Sequence, residues 1–151
     1  VEGVRGHAEV IQHLVASGIP VMGHLGLLPQ SVCAPEDYKV QAKTPETAQT
    51  LREEVEMLER CGVFALVLEC IPASLAHEIT AGLKVPTIGI GAGAGCDGQV
   101  LVWHDLLGMN PEFKPRFVRR FGEGGKTIQQ ALGKFAHAVH TGIFPAAKES
   151  F

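Results

Sequence analysis

The chain has 151 residues, 46% of them apolar and 19% charged, with a formal net charge of −3. Such a chain can build a single globular domain with a proper core, and its small acidic excess offers no footprint for nucleic acid. No apolar run approaches the ~20 residues of a membrane span, and Cys33, Cys61, Cys70 and Cys96 form no CxxC pair, which argues against a disulfide framework or a zinc site and for a reducing compartment.

Val1-Glu2-Gly3 reads as the tail of a strand whose beginning lies outside the sequence, so a fragment is expected. An amphipathic helix over residues 7–17 follows, with Val10, Ile11, Leu14 and Val15 on one face and Gly18 as its stop. Pro20 to Gly26 reads as a buried strand, and residues 27–43 as a loop long enough to expect a function for it. Thr44-Pro45-Glu46-Thr47 is a strong helix start, and Ala48, Leu51, Val55 and Leu58 continue it at helical spacing up to Gly62.

Phe64 to Cys70 is a short unbroken apolar run closed by Glu69, with Gly62 before it and Pro72 after. It has the pattern of a strand buried on both faces of a parallel sheet. A helix over 72–83 places Leu75, Ile79 and Leu83 inward, and Pro86 to Gly91 forms the next strand. Alternation of this kind is the mark of a parallel α/β sheet. Gln99 to Asp105 reads equally as strand or helix, because the link from Gly91 is too short for an ordinary helical crossover. A short helix over 116–121 and a final helix over 127–141, with Ile128, Leu132, Phe135 and Val139 inward, complete the chain. One domain is expected over 1–151, with strand–helix repeats to residue 110 and C-terminal helices and a tail beyond. Five strands at most, against the eight of a closed barrel, suggest the second half of a (β/α)8 architecture.

Glu69 is the first candidate for chemistry, since a carboxylate closing a buried strand must be solvated, paired or used, and barrel enzymes draw catalytic groups from strand carboxyl ends. Glu2 and His24 stand at successive strand ends and could share its pocket; alternatively, each is a boundary residue facing water. Two carboxylates and an imidazole suit a hard divalent cation and a general base. Gly89 to Gly95 contains a GxGxG spacing without the helix a dinucleotide site requires, so a close-approach loop is the better reading. His104 and Asp105 read as caps, and His7, His13, His77, His137 and His140 as surface residues. Lys39 could reach an anionic substrate or simply be solvated.

The blocks Val1-Glu2-Gly3, Gly23-His24-Leu25-Gly26-Leu27 with Pro29-Gln30-Ser31-Val32, Tyr38-Lys39-Val40-Gln41, Leu66-Val67-Leu68-Glu69-Cys70, Ile88 to Gly93 and Asp97 to Val102 together resemble the ketopantoate hydroxymethyltransferase family along nearly the whole chain. The resemblance implies the C-terminal part of a (β/α)8 barrel of the phosphoenolpyruvate mutase and isocitrate lyase type. It implies transfer of a hydroxymethyl group from methylene-tetrahydrofolate to α-ketoisovalerate, magnesium dependence, a cytoplasmic enzyme and a large homo-oligomer, typically a decamer. By the same resemblance Glu69 is the general base, His24 supports the pocket and Glu2 is an acidic ligand of the magnesium. The family's substrate-contacting lysine and its Asp-Ser pair would precede Val1, so this span alone is expected to lack much of the metal site. Competing readings are another magnesium-dependent carbon–carbon bond enzyme of this barrel type, and an inactive half-barrel serving as an assembly module.

Overall fold

Local signals and tertiary packing agree most closely in the second helix. In the computed structural model, which describes residues 1–32 and 38–151, α2 runs Pro45–Cys61. Thr44 and Thr47 form a reciprocal capping box at its start, and Gly62 closes it in the left-handed region at φ 85°. Leu51, Val55, Leu58 and Cys61 make its buried stripe. The preceding helix, α1 at Ala8–Ala16, buries Ile11, with Leu14 and Val15 partly covered. Val10, expected on that face, is exposed: Ile11, Leu14 and Val15 already fill the narrow i, i+3, i+4 stripe.

Four parallel strands follow in the order β1 (Met22–Gly26), β2 (Ala65–Glu69), β3 (Thr87–Ile90) and β4 (Gly98–Gln99). Their spatial order equals their chain order, as strand–helix repeats produce. A further parallel bridge joins Glu2 to His24, on the free side of β1. The sequence reading of an α/β fold with a parallel sheet, as in part of a (β/α)8 barrel, therefore holds. The helix α3 at Ala73–Gly82 buries Leu75, Ala76 and Ile79.

Register separates the two faces of the sheet. Gly23, Leu25, Leu66, Leu68 and Thr87 share one face, since paired residues of parallel strands point the same way and successive residues alternate. Leu25, Leu66 and Leu68 pack there into a core with Leu51, Val55, Leu58, Leu75 and Ile79. Met22, His24, Val67, Glu69, Ile88 and Ile90 occupy the other face. Met22 is exposed, and Val67 and Ile88 are half-buried.

The short link between β3 and β4 is a run of bends and a turn laid along α3, not a helix. A Cβ on Gly93 would collide with that of Ala73, and one on Gly95 would come within 2.7 Å of His77 Cβ. Glycine thus lets the backbone lie directly against α3. At the lower end Asp97 Oδ2 accepts from the backbone N–H of Thr87 (2.8 Å) and lies 3.2 Å from its hydroxyl, which is also 2.8 Å from Thr80 Oγ1. The glycine-rich stretch is therefore a close-approach loop, and residues 99–105 are divided between the end of β4 and the start of the next helix.

Two compact units, Val1–Val100 and Leu101–Phe151, make up the chain. The second holds α4 (Trp103–Leu106) and α5 (Gly124–His140). Residues 116–121 form a turn rather than the expected short helix. The Phe121 N–H instead donates to Leu106 O (2.8 Å), and the Arg120 guanidinium donates to the carbonyls of Asn110, Pro111 and Phe113 at 2.9, 3.0 and 3.2 Å. Ile128, Leu132, Phe135 and Val139, expected inward, are exposed; Phe135 meets the edge of Phe144 at a centroid distance of 5.5 Å. Among the described residues no helix is long and apolar enough to cross a membrane.

Candidate active site

Glu69 is the last residue of β2 and is buried. Its surroundings fix it from both sides. The Leu27 N–H donates to Glu69 O at 2.8 Å, the Cys70 N–H to Ile90 O at 2.8 Å, and the Gln41 N–H to Cys70 O at 2.7 Å. Cys70 itself adopts φ 50°, a conformation that costs a non-glycine residue about 1–3 kcal/mol and persists where neighbours impose it. Opposite, Gly26 sits at φ 95°, and a Cβ there would overlap the Glu69 carbonyl oxygen and lie 2.9 Å from Ile71 Cγ2. Only glycine lets the β1 end approach this closely.

His24 lies two residues before Gly26, the register partner of Glu69. Both side chains therefore rise on the same face, and His24 Nε2 comes to 3.0 Å from Glu69 Oε2, with the two side chains 18% and 11% exposed. Nε2 is fully shielded from solvent yet makes no aligned hydrogen bond. The contact is a close approach, off the axis a hydrogen bond needs. Glu2 is placed by pairing on the other side of His24: the Gly3 N–H donates to His24 O at 2.9 Å, and the bridge puts the Glu2 side chain on the same face. One of its oxygens accepts the Gln30 N–H at 3.2 Å.

The trio thus occupies one face, with His24 and Glu69 in contact and Glu2 on the adjacent strand. Among the described residues, no three His, Cys, Asp or Glu side chains are grouped to hold a metal ion. Cys70, which sequence reasoning passed over, is a protonated thiol at neutral pH: burial, with the Glu69 charge adding, pushes it up to about 11. Gly26 carries one sequence signal of its role, a glycine at a strand end. Lys39 borders a cleft beside Leu27 and Gln41. His104 and Asp105 belong to the second unit, where the His104 ring lies 4.0 Å from that of Trp103. His13, His77, His137 and His140 are exposed as expected, while His7 is half-buried with Nε2 3.2 Å from Gly3 O. Cys33 lies outside the described residues; Cys61, Cys70 and Cys96 are free thiols.

The family model described as ketopantoate hydroxymethyltransferase matches residues 1–147. The chain belongs to that family. Similar proteins named 3-methyl-2-oxobutanoate hydroxymethyltransferase include one from Bdellovibrio bacteriovorus, 51% identical over 99% of this chain and 57% of its own length. One from Thermotoga neapolitana is 51% identical over 100% of this chain and 56% of its own. One from Francisella tularensis is 45% identical over 99% and 57%. The chain spans little more than half the length of these relatives. Within that span, the ketopantoate hydroxymethyltransferase match takes in Glu2, His24 and Glu69 alike.

Proposed function

We propose that this chain is the C-terminal portion of a cytoplasmic, homo-oligomeric enzyme that transfers a hydroxymethyl group from methylene-tetrahydrofolate to α-ketoisovalerate, giving ketopantoate. The observation that carries this reading is the shielded contact between His24 and Glu69 at the carboxyl end of a parallel sheet, where catalytic groups of barrel enzymes gather. Family membership supports it.

In this reading water opens the donor's methylene bridge to a formaldehyde-level carbon with release of tetrahydrofolate. Glu69 removes the proton from the carbon next to the keto group, and the resulting enolate adds to that one-carbon unit, whose oxygen takes up a proton to become the hydroxymethyl group. The shielded imidazole of His24 holds the carboxylate on the open face. The backbone bonds to Glu69 O and Cys70 O keep the strand end from shifting, and small misplacements are costly in such chemistry. Glu2 fits a magnesium site as a single carboxylate ligand, since one oxygen accepts from Gln30 and, among the described residues, the other has no hydrogen-bond partner; Mg²⁺ is commonly held by one or two carboxylates plus water and substrate oxygens. Bound magnesium would supply Lewis-acid polarisation of the keto oxygen. The other protein ligands would come from residues beyond this span.

Glu69→Gln in the intact protein is the decisive test. Exchange of the C3 proton of α-ketoisovalerate with solvent, followed by NMR, should fall about 10³-fold while the keto acid still binds. Exchange at the wild-type rate would remove Glu69 from this role.

A further inference from the structure

A cleft of about 390 Å³ opens next to the Glu69 strand end, and Gly26, Leu27, Ser31, Lys39 and Gln41 are among its walls. Two of these are bonded to the base's own backbone: Leu27 through Glu69 O, and Gln41 through the neighbouring Cys70 O. The Gln41 side-chain amide also donates to Lys39 O at 2.9 Å, which fixes the segment that carries the ammonium. Lys39 is the charged residue among the described lining residues. A lysine in the wall of a cleft suits it to a carboxylate, whose oxygens take charge-assisted hydrogen bonds.

We propose that this cleft is a carboxylate subsite, with Lys39 as its anchoring cation, used by a substrate whose reacting end lies at Glu69. The inference rests on the proposed transferase reading, in which two carboxylate sources exist: the glutamate tail of the folate donor and the carboxyl group of the keto acid. The tail is the better fit, because the cleft lies outside the strand ends, in the loops after β1, whereas the keto acid must reach the face that carries His24 and Glu69.

The test is calorimetric binding to the intact protein and to its Lys39→Gln and Lys39→Arg variants. One probe is p-aminobenzoylglutamate, the tail half of the donor; the other is α-ketoisovalerate. Loss of one charged contact should weaken p-aminobenzoylglutamate about tenfold in Lys39→Gln, with binding largely restored in Lys39→Arg. Weakening confined to α-ketoisovalerate would keep the subsite and assign it to the keto acid. Equal binding of both probes to wild type and Lys39→Gln would overturn the proposal, as would failure of both probes to bind wild type. Whether wild type makes ketopantoate is measured separately, so loss of the transferase reading is distinguishable from loss of the subsite.

Discussion

On the helix-covered face of the sheet, Leu25, Leu66 and Leu68 are at most 1% exposed, and even Thr87 is fully enclosed with its hydrogen bonds made. On the opposite face Met22 is open and Val67 and Ile88 are half-covered, beside the side chains of Glu2, His24 and Glu69. Leu68 and Glu69 are consecutive residues, yet they serve these two surfaces because a strand turns over at every position. The covered face holds the fold, where uniform apolar packing is best. The other face can carry charge because it is not closed by the helical layer. The physical lesson is that stability and chemistry are separated by one residue of register, so substitutions only one position apart should fail in different assays.

The largest expected effect on the covered side is that of Leu68→Ala. Leu68 is completely enclosed, so truncation leaves a cavity and should cost about 2–5 kcal/mol of unfolding free energy. Chemical denaturation of the intact protein measures this. A loss below about 1 kcal/mol would mean that the face is less tightly packed than its burial indicates, and the contrast with Glu69→Gln, an activity defect, would collapse.

Gly26→Ala probes the seam between the two faces. The added methyl meets the Glu69 carbonyl oxygen and the residue is held at φ 95°, so the β1 end must move away from the base. Proton exchange should fall about 10²-fold, as expected for ångström-scale misplacement, and stability by about 1–3 kcal/mol. Measuring exchange and denaturation on the same sample decides whether strand spacing is part of the site. Unchanged exchange in a destabilised variant would assign Gly26 to the fold alone.

Much of this arrangement is legible in the sequence. Thr44-Pro45 and Gly62 bracket α2 by local backbone chemistry, and Glu69 announces itself as a charge ending an apolar run. Glu2 and His24 read as strand-end residues, whereas His24 is the middle residue of β1 and Glu2 sits in an isolated bridge beside it. The 3.0 Å meeting of His24 with Glu69 is not legible, because it depends on the pairing of Gly26 with Glu69, residues far apart in the chain. The return from β3 to β4 was obscure for a similar reason: its glycines are explained by Ala73 and His77, which only the folded chain brings close. Residues 116–121 looked helical by composition, yet tertiary bonds from Phe121 and Arg120 override that propensity. The apolar stripe of α5 was read correctly as a pattern and incorrectly as burial; periodicity indicates a face, not what covers it.

The smallest effect belongs to the outer surface of the covered side, where Arg52 of α2 reaches Glu78 of α3 through two bonds, Nε to Oε1 at 2.7 Å and Nη2 to Oε2 at 3.0 Å. The Arg52 side chain is 34% exposed and that of Glu78 58%, so water and salt screen the pair. Arg52→Gln should therefore lower stability far less than Leu68→Ala does, with the difference shrinking at high salt and C3 proton exchange untouched. The apolar stripe beneath, from Leu51 and Val55 to Leu75 and Ile79, is what should join the two helices to the sheet. A loss as large as that of Leu68→Ala, well above what an exposed pair supplies, would shift that role toward charge pairing and weaken the division between a face that packs and a face that reacts.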